Sequence, residues 1–129
     1  VFNDTEELLA EELTEEGQEL EYSLTSLKAF LPNEEQALKE VLVSFIASTK
    51  ENLEDLERSF SENDLPKFRE TSHRMYPMFK QIKAEEIASI LQDFDLKTLS
   101  EDEIRFNLEV LNLKIESLFN LIQQENNLV

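Results

Sequence analysis

Apolar residues return along most of this chain at alternating steps of three and four, the spacing that gathers one face of an α-helix. The longest run is Leu38, Leu42, Phe45, Thr49, Leu53, Leu56 and Phe60, with Asn33 as its N-cap and Gln36 three residues on. A turn over 61–64 follows. Leu65, Phe68, Ser72, Met75, Phe79 and Ile82 then make a second stripe, and Pro66 is tolerated because it falls in the first helical turn. The phase breaks at Lys83-Ala84-Glu85, and Ile87, Ile90, Leu91 and Phe94 begin a new stripe, read as a short separate helix or a bend. Residues 95–99 read as a loop. Ser100 with Glu103 forms a capping box, after which Ile104, Leu108, Leu111, Ile115, Leu118 and Ile122 run to the end. Upstream, Leu24, Leu27 and Leu31 mark a short helix over 22–31 that Pro32 ends. No segment keeps a period of two long enough for a strand. The pattern predicts an all-α fold: an antiparallel up-and-down four-helix bundle with an additional short N-terminal helix or helices.

Charge divides the chain in two. Residues 1–21 hold nine acids and no base, over half of the formal net charge of −17. They read as a short acidic helix over 5–16 ended by Gly17, or as a linker, ahead of a bundle domain over 22–129. No internal repeat is evident.

With 129 residues the chain fits one domain large enough to bury a core. Its 29 Asp and Glu against 12 Lys and Arg would repel a polyanion, which argues against nucleic acid as a partner. A single Gly excludes phosphate-cradling glycine loops, kinase ATP-binding motifs among them. A single His and no Cys exclude HExxH and Cys-based zinc sites, thiol nucleophiles and disulfides, and fit a reducing, intracellular setting. The longest apolar runs are three residues, as in Val41-Leu42-Val43, far short of a membrane span or signal-peptide core, so no direct membrane contact is expected. A first residue of Val fits a processed product or a piece of something longer. Chemistry must come from carboxylates, hydroxyls or His73.

On a helical wheel His73 points about 130° away from the apolar stripe of its helix, so its imidazole is expected in solvent. Arg69, Tyr76, Pro77 and Lys80 share its side. Residues 66–83 carry Lys67, Arg69, Arg74, Lys80 and Lys83 against one acid, Glu70, a positive island suited to an arriving anion. Glu70-x-x-His73 has the spacing of a di-iron bundle ligand pair. Such a site needs a second copy and core-facing carboxylates, so that reading fails and no metal site is expected.

The run Phe68-x-x-x-Ser72-His73-Arg74-Met75 resembles the signature of the histidine-containing phosphotransfer (HPt) domain of two-component phosphorelays, of the kind fused to bacterial hybrid sensor histidine kinases. The likeness extends over about 22–124: a long helix with Phe45 near its centre, Leu53-x-x-Leu56 leading to Asn63-Asp64, and Ile87-x-x-x-Leu91-x-x-Phe94 after the signature. It implies that His73 accepts a phosphoryl group from a phospho-Asp receiver domain and passes it on reversibly, as a phosphotransfer protein rather than a stand-alone enzyme. The response-regulator receiver would supply an acidic pocket, Mg2+ and a lysine, so no cofactor is expected on this chain. The resemblance implies a monomeric domain in the cytoplasm, alone or as the cytoplasmic part of a membrane-bound kinase. Arg69 and Lys80 would compensate phosphoryl charge, with Arg74 in the same island, and Tyr76 would hydrogen-bond a phosphoryl oxygen. The family continues His-x-Leu-Lys-Gly-Ser, and here Tyr76 stands for the lysine and Pro77 for the glycine. Proline in mid-helix is expected to bend it and tip the His73 carbonyl outward, without disturbing Met75 and Phe79. The alternative is a helical scaffold, a pseudo-HPt module that binds a receiver without accepting phosphate.

Overall fold

The computed structural model describes residues 21–31 and 35–128. These form five helices and, among the described residues, no strand: α1 (Thr25–Lys28), α2 (Glu35–Ser61), α3 (Leu65–Gln81), α4 (Glu85–Leu96) and α5 (Glu101–Glu125). The fold is all-α. The acidic segment over 5–16 and the Asn33 cap lie outside the described residues. None of the described helices is long and apolar enough to cross a membrane.

The apolar stripes become one core. Leu42 and Leu56 from α2, Phe68 and Phe79 from α3, Leu91 and Phe94 from α4, and Leu111, Leu118 and Ile122 from α5 are all fully buried or nearly so. Aromatic rings bridge the helices. Phe45 meets Phe79 and Phe119 edge-on at 5.1 and 5.3 Å, and Phe68 lies 4.9 Å from Phe94 and 6.1 Å from Phe60. Leu65, placed on the α3 stripe by its spacing, is exposed instead, because the first residue of the helix lies beyond the reach of the packed core.

Three local features differ from the sequence reading or resolve it. The short helix expected over 22–31 is only α1, one turn. The N–H of Ser23 donates to the Ile82 carbonyl at 2.6 Å, which pins the chain in a non-helical path ahead of Thr25, while Leu24 and Leu27 still enter the core. The phase break at 83–85 is a true helix end. Lys83 takes a left-handed φ of 58°, and the Ala84 N–H closes onto the Phe79 carbonyl at 3.0 Å. Finally, 95–99 is not all loop, because α4 continues through Asp95 to Leu96 and the backbone becomes extended only at Lys97.

Candidate functional site

Placement of the lone histidine starts with the entry to α3. The Asp64 carboxylate accepts from the Lys67 N–H at 3.2 Å, and proline in the first turn removes a donor the helix does not use. Phe68, Ser72, Met75 and Phe79 are buried, which leaves His73 on the opposite side with 76% of its side chain exposed, as its wheel position predicts. Arg74, one residue on, turns to α2 and bonds the Asn52 amide oxygen at 3.0 Å. Ser72, one residue back, therefore lies on the α4 side. It is fully buried, and its hydroxyl donates to the Phe68 carbonyl at 3.0 Å, so a small side chain with no unmet polar atom lies beside His73 in a helix that packs closely on α4.

That close approach brings Asp95 to the imidazole. Its Oδ2 is 2.7 Å from His73 Nδ1, and only 24% of the Asp95 side chain is exposed. An ionised carboxylate only accepts hydrogen bonds, so in the neutral ring the hydrogen is assigned to Nδ1 and the free lone pair to Nε2. Asp95 sits in the last turn of α4, where the helix dipole disfavours an acid, and that turn contains no base. Asp93 in the same turn is met by Lys97 at 3.2 Å, and Asp95 by His73.

The positive island of the sequence is largely answered once the chain folds. Lys80 Nζ lies 3.0 Å from Glu85 Oε2, and that hydrogen bond and charge hold the ammonium pKa above its ordinary value. Arg74 is engaged by Asn52, by Asp55 at 3.9 Å and by Glu70 at 3.8 Å, which also meets Lys67 at 3.8 Å. Arg74 is thus directed away from His73, contrary to its expected place beside an arriving anion. Lys80 reaches toward the start of α4. Arg69 and Lys83 are exposed and, among the described residues, have no ion pair, so these two cations of the run stay uncommitted, and Arg69 is the one a helical turn from His73. Tyr76 is half-buried and rests against the core, while Pro77 is exposed in a helix that continues to Gln81.

Sequence reasoning missed Asp95, which it assigned to a loop. The signal was present in the turn: reflecting His73 about Ala84 lands on residue 95, as expected of two helices that fold back on each other. It also missed Leu96, which follows Asp95 and is 71% exposed, an apolar side chain at the rim of the site. Among the described residues no group of three or more His, Asp or Glu side chains could hold a metal ion. The arrangement offers an accessible ring nitrogen, a carboxylate behind it and a cation nearby. Compared with family models, with curated proteins and with solved structures, the chain matches none.

Proposed function

We propose that this chain is a phosphorelay component of the HPt kind, an antiparallel up-and-down four-helix bundle whose His73 takes a phosphoryl group from a phospho-Asp receiver and passes it on. The bundle topology is supported by how residues pair. Along α2, Phe45, Asn52 and Phe60 meet Phe79, Arg74 and Phe68 of α3 in falling order. The same helix meets Phe119, Asn112 and Arg105 of α5, again in falling order, through Phe45, Glu57 and Phe60.

A single observation carries the functional reading: the one imidazole of the chain is mostly exposed while its Nδ1 is occupied by Asp95. This leaves Nε2 as an accessible nucleophile. Phosphoryl transfer depends chiefly on positioning and charge neutralisation, so a partner that brings Mg2+ and an acidic pocket needs little else from this chain. Arg69 is placed to meet a phosphoryl oxygen, and Leu65 and Leu96 add exposed apolar surface for a docked receiver. On this reading the protein works in the cytoplasm as a monomeric domain.

The test is incubation with phosphorylated receiver domains. Label is expected on the protein, labile in acid and stable in base, and absent from His73→Gln. Label that persists in His73→Gln overturns the assignment. Receiver binding without any label supports the scaffold reading instead.

A further inference from the structure

Away from His73, which faces α4, one helix face of the molecule has no cover among the described residues. Of the neighbouring helix pairs, α2 and α5 are the least closely packed, and a groove of about 400 Å3 opens between them over Ile46, Leu53, Ile115 and Phe119. Its α2 wall belongs to a second stripe on that helix: Lys39, Val43, Ile46 and Lys50, at steps of four, three and four. Val43 is 52% exposed, an apolar side chain on an outer face. Neither Lys39 nor Lys50 has an ion pair among the described residues.

We infer that this face is the docking site of the chain's own N-terminal segment, which lies on it as an amphipathic helix over 5–16 running antiparallel to α2. Residues 1–20 lie outside the described residues, and three observations point to them as the occupant. The first is spacing. Glu6, Leu9, Leu13 and Glu16 recur at steps of three, four and three and so share one helix face, while Glu7, Glu11 and Glu15 fall on the far side, toward water. The second is complementarity. Laid antiparallel, Glu6 meets Lys50, Leu9 meets Ile46, Leu13 meets Val43 and Glu16 meets Lys39. The residue numbers in every pair add to the same total within one, as two antiparallel helices lying side by side require. An acid at each end of two leucines thus answers a lysine at each end of two apolar residues, and no like charges meet on the stripe.

The third is attachment, which also settles direction, because the charge pattern reads the same both ways. The Tyr22 hydroxyl donates to the Glu125 carboxylate, so the segment leaves the described fold at the end of α5. Phe45 lies against Phe119, which places Lys39, six residues before Phe45, level with Glu125, six after Phe119. Glu16 over Lys39 therefore lies at the level of the exit, and the five-residue link to Glu21, which reaches about 17 Å, closes with slack. Gly17 ends the helix at that link. A segment docked the other way would have to double back over the span from Lys39 to Lys50, about 16 Å of helix, and the link would be taut.

The test uses the full chain, whose lack of cysteine lets an introduced pair report alone. Leu13→Cys with Val43→Cys is expected to form an internal disulfide under mild oxidation at low protein concentration. Glu11→Cys with Val43→Cys, from the far side of the segment, is expected to close about tenfold more slowly. Glu6→Lys with Glu16→Lys is expected to slow the first closure about fivefold at low salt, with the difference shrinking at high salt and Lys39→Glu with Lys50→Glu restoring the rate. Helical circular dichroism checks the fold of each variant. Equal closure rates for the two cysteine pairs, or a rate that charge reversal leaves unchanged, overturns the inference. Disulfide-linked dimers that form in place of the internal link and grow with protein concentration would give the face to a second copy and overturn it as well. No readout involves phosphoryl transfer, so the outcome is independent of the role of His73.

Discussion

Thr71 is fully buried two residues before His73, and its Oγ1 has no hydrogen-bond partner among the described residues. Burying a hydroxyl without a partner forfeits its hydration, so the isosteric Thr71→Val is expected to raise stability by about 1 kcal/mol. A higher urea midpoint at unchanged slope checks this, and a lower midpoint contradicts it. Tyr22 presents the opposite case, a polar group met by design of the fold. Its hydroxyl donates to the Glu125 carboxylate, and burial first, then that bond and charge, pushes its pKa from 10.0 up to about 12. The folded value lies above the unfolded one, so the neutral phenol stabilises the fold fully below pH 10 and that contribution is lost as pH rises toward 12. Ultraviolet titration of the two tyrosines is expected to show one ionising late. Tyr22→Phe is expected to remove that step and flatten the fall in stability over the same window.

At the scale of elements, most helix ends were legible because their signals are local. Ser100 accepts from the Glu103 N–H at 3.1 Å and the Glu103 side chain returns to the Ser100 N–H at 3.0 Å, the capping box its spacing announced. The end of α3 was legible only as a break in phase. Its terminator is Lys83 in a left-handed conformation that usually calls for Gly, so composition gave no warning. Pro77 tests how far a helix can absorb a local fault. It has no N–H to return to the His73 carbonyl, yet α3 continues past it, and its exposed ring has little packing to lose. Pro77→Ala is therefore expected to stabilise the protein by about 1–3 kcal/mol, read as a rise in thermal midpoint. No change, or a loss, would mean that the ring makes contacts the helix depends on.

At the scale of the whole molecule, α4 is held from both sides by charge as well as by its apolar face. Asp95 and Glu85 tie it to α3, and Glu86 ties it to α5 through Lys114, a lysine only 3% exposed inside an otherwise apolar helix face. Removing the partner strands a buried ammonium, whereas removing the lysine does not. Glu86→Ala is expected to cost about 1–2 kcal/mol, below the cost for a fully buried pair because the Glu86 carboxylate itself stays in water. Lys114→Met, which fills the same volume with apolar atoms, is expected to stay within about 1 kcal/mol of the parent. Chemical denaturation of the two variants in parallel checks the asymmetry, and equal losses would show that the pair itself, not the stranded charge, sets the cost.

The sequence by itself determined the helices and the exposure of His73, because a 3.6-residue period is a property of consecutive residues and each stripe has one way to face a core. The same local information misjudged the surroundings of the imidazole. It placed Arg74 and Lys80 in an island around His73, whereas folding engages them with Asn52, Asp55 and Glu85, residues from 5 to 22 positions away. Only the tertiary structure brought Asp95 behind the ring. A 2.7 Å contact across 22 residues depends on where two helices cross, and that is fixed by side-chain volumes in the core, Ser72 beside His73 among them, not by any spacing along one helix.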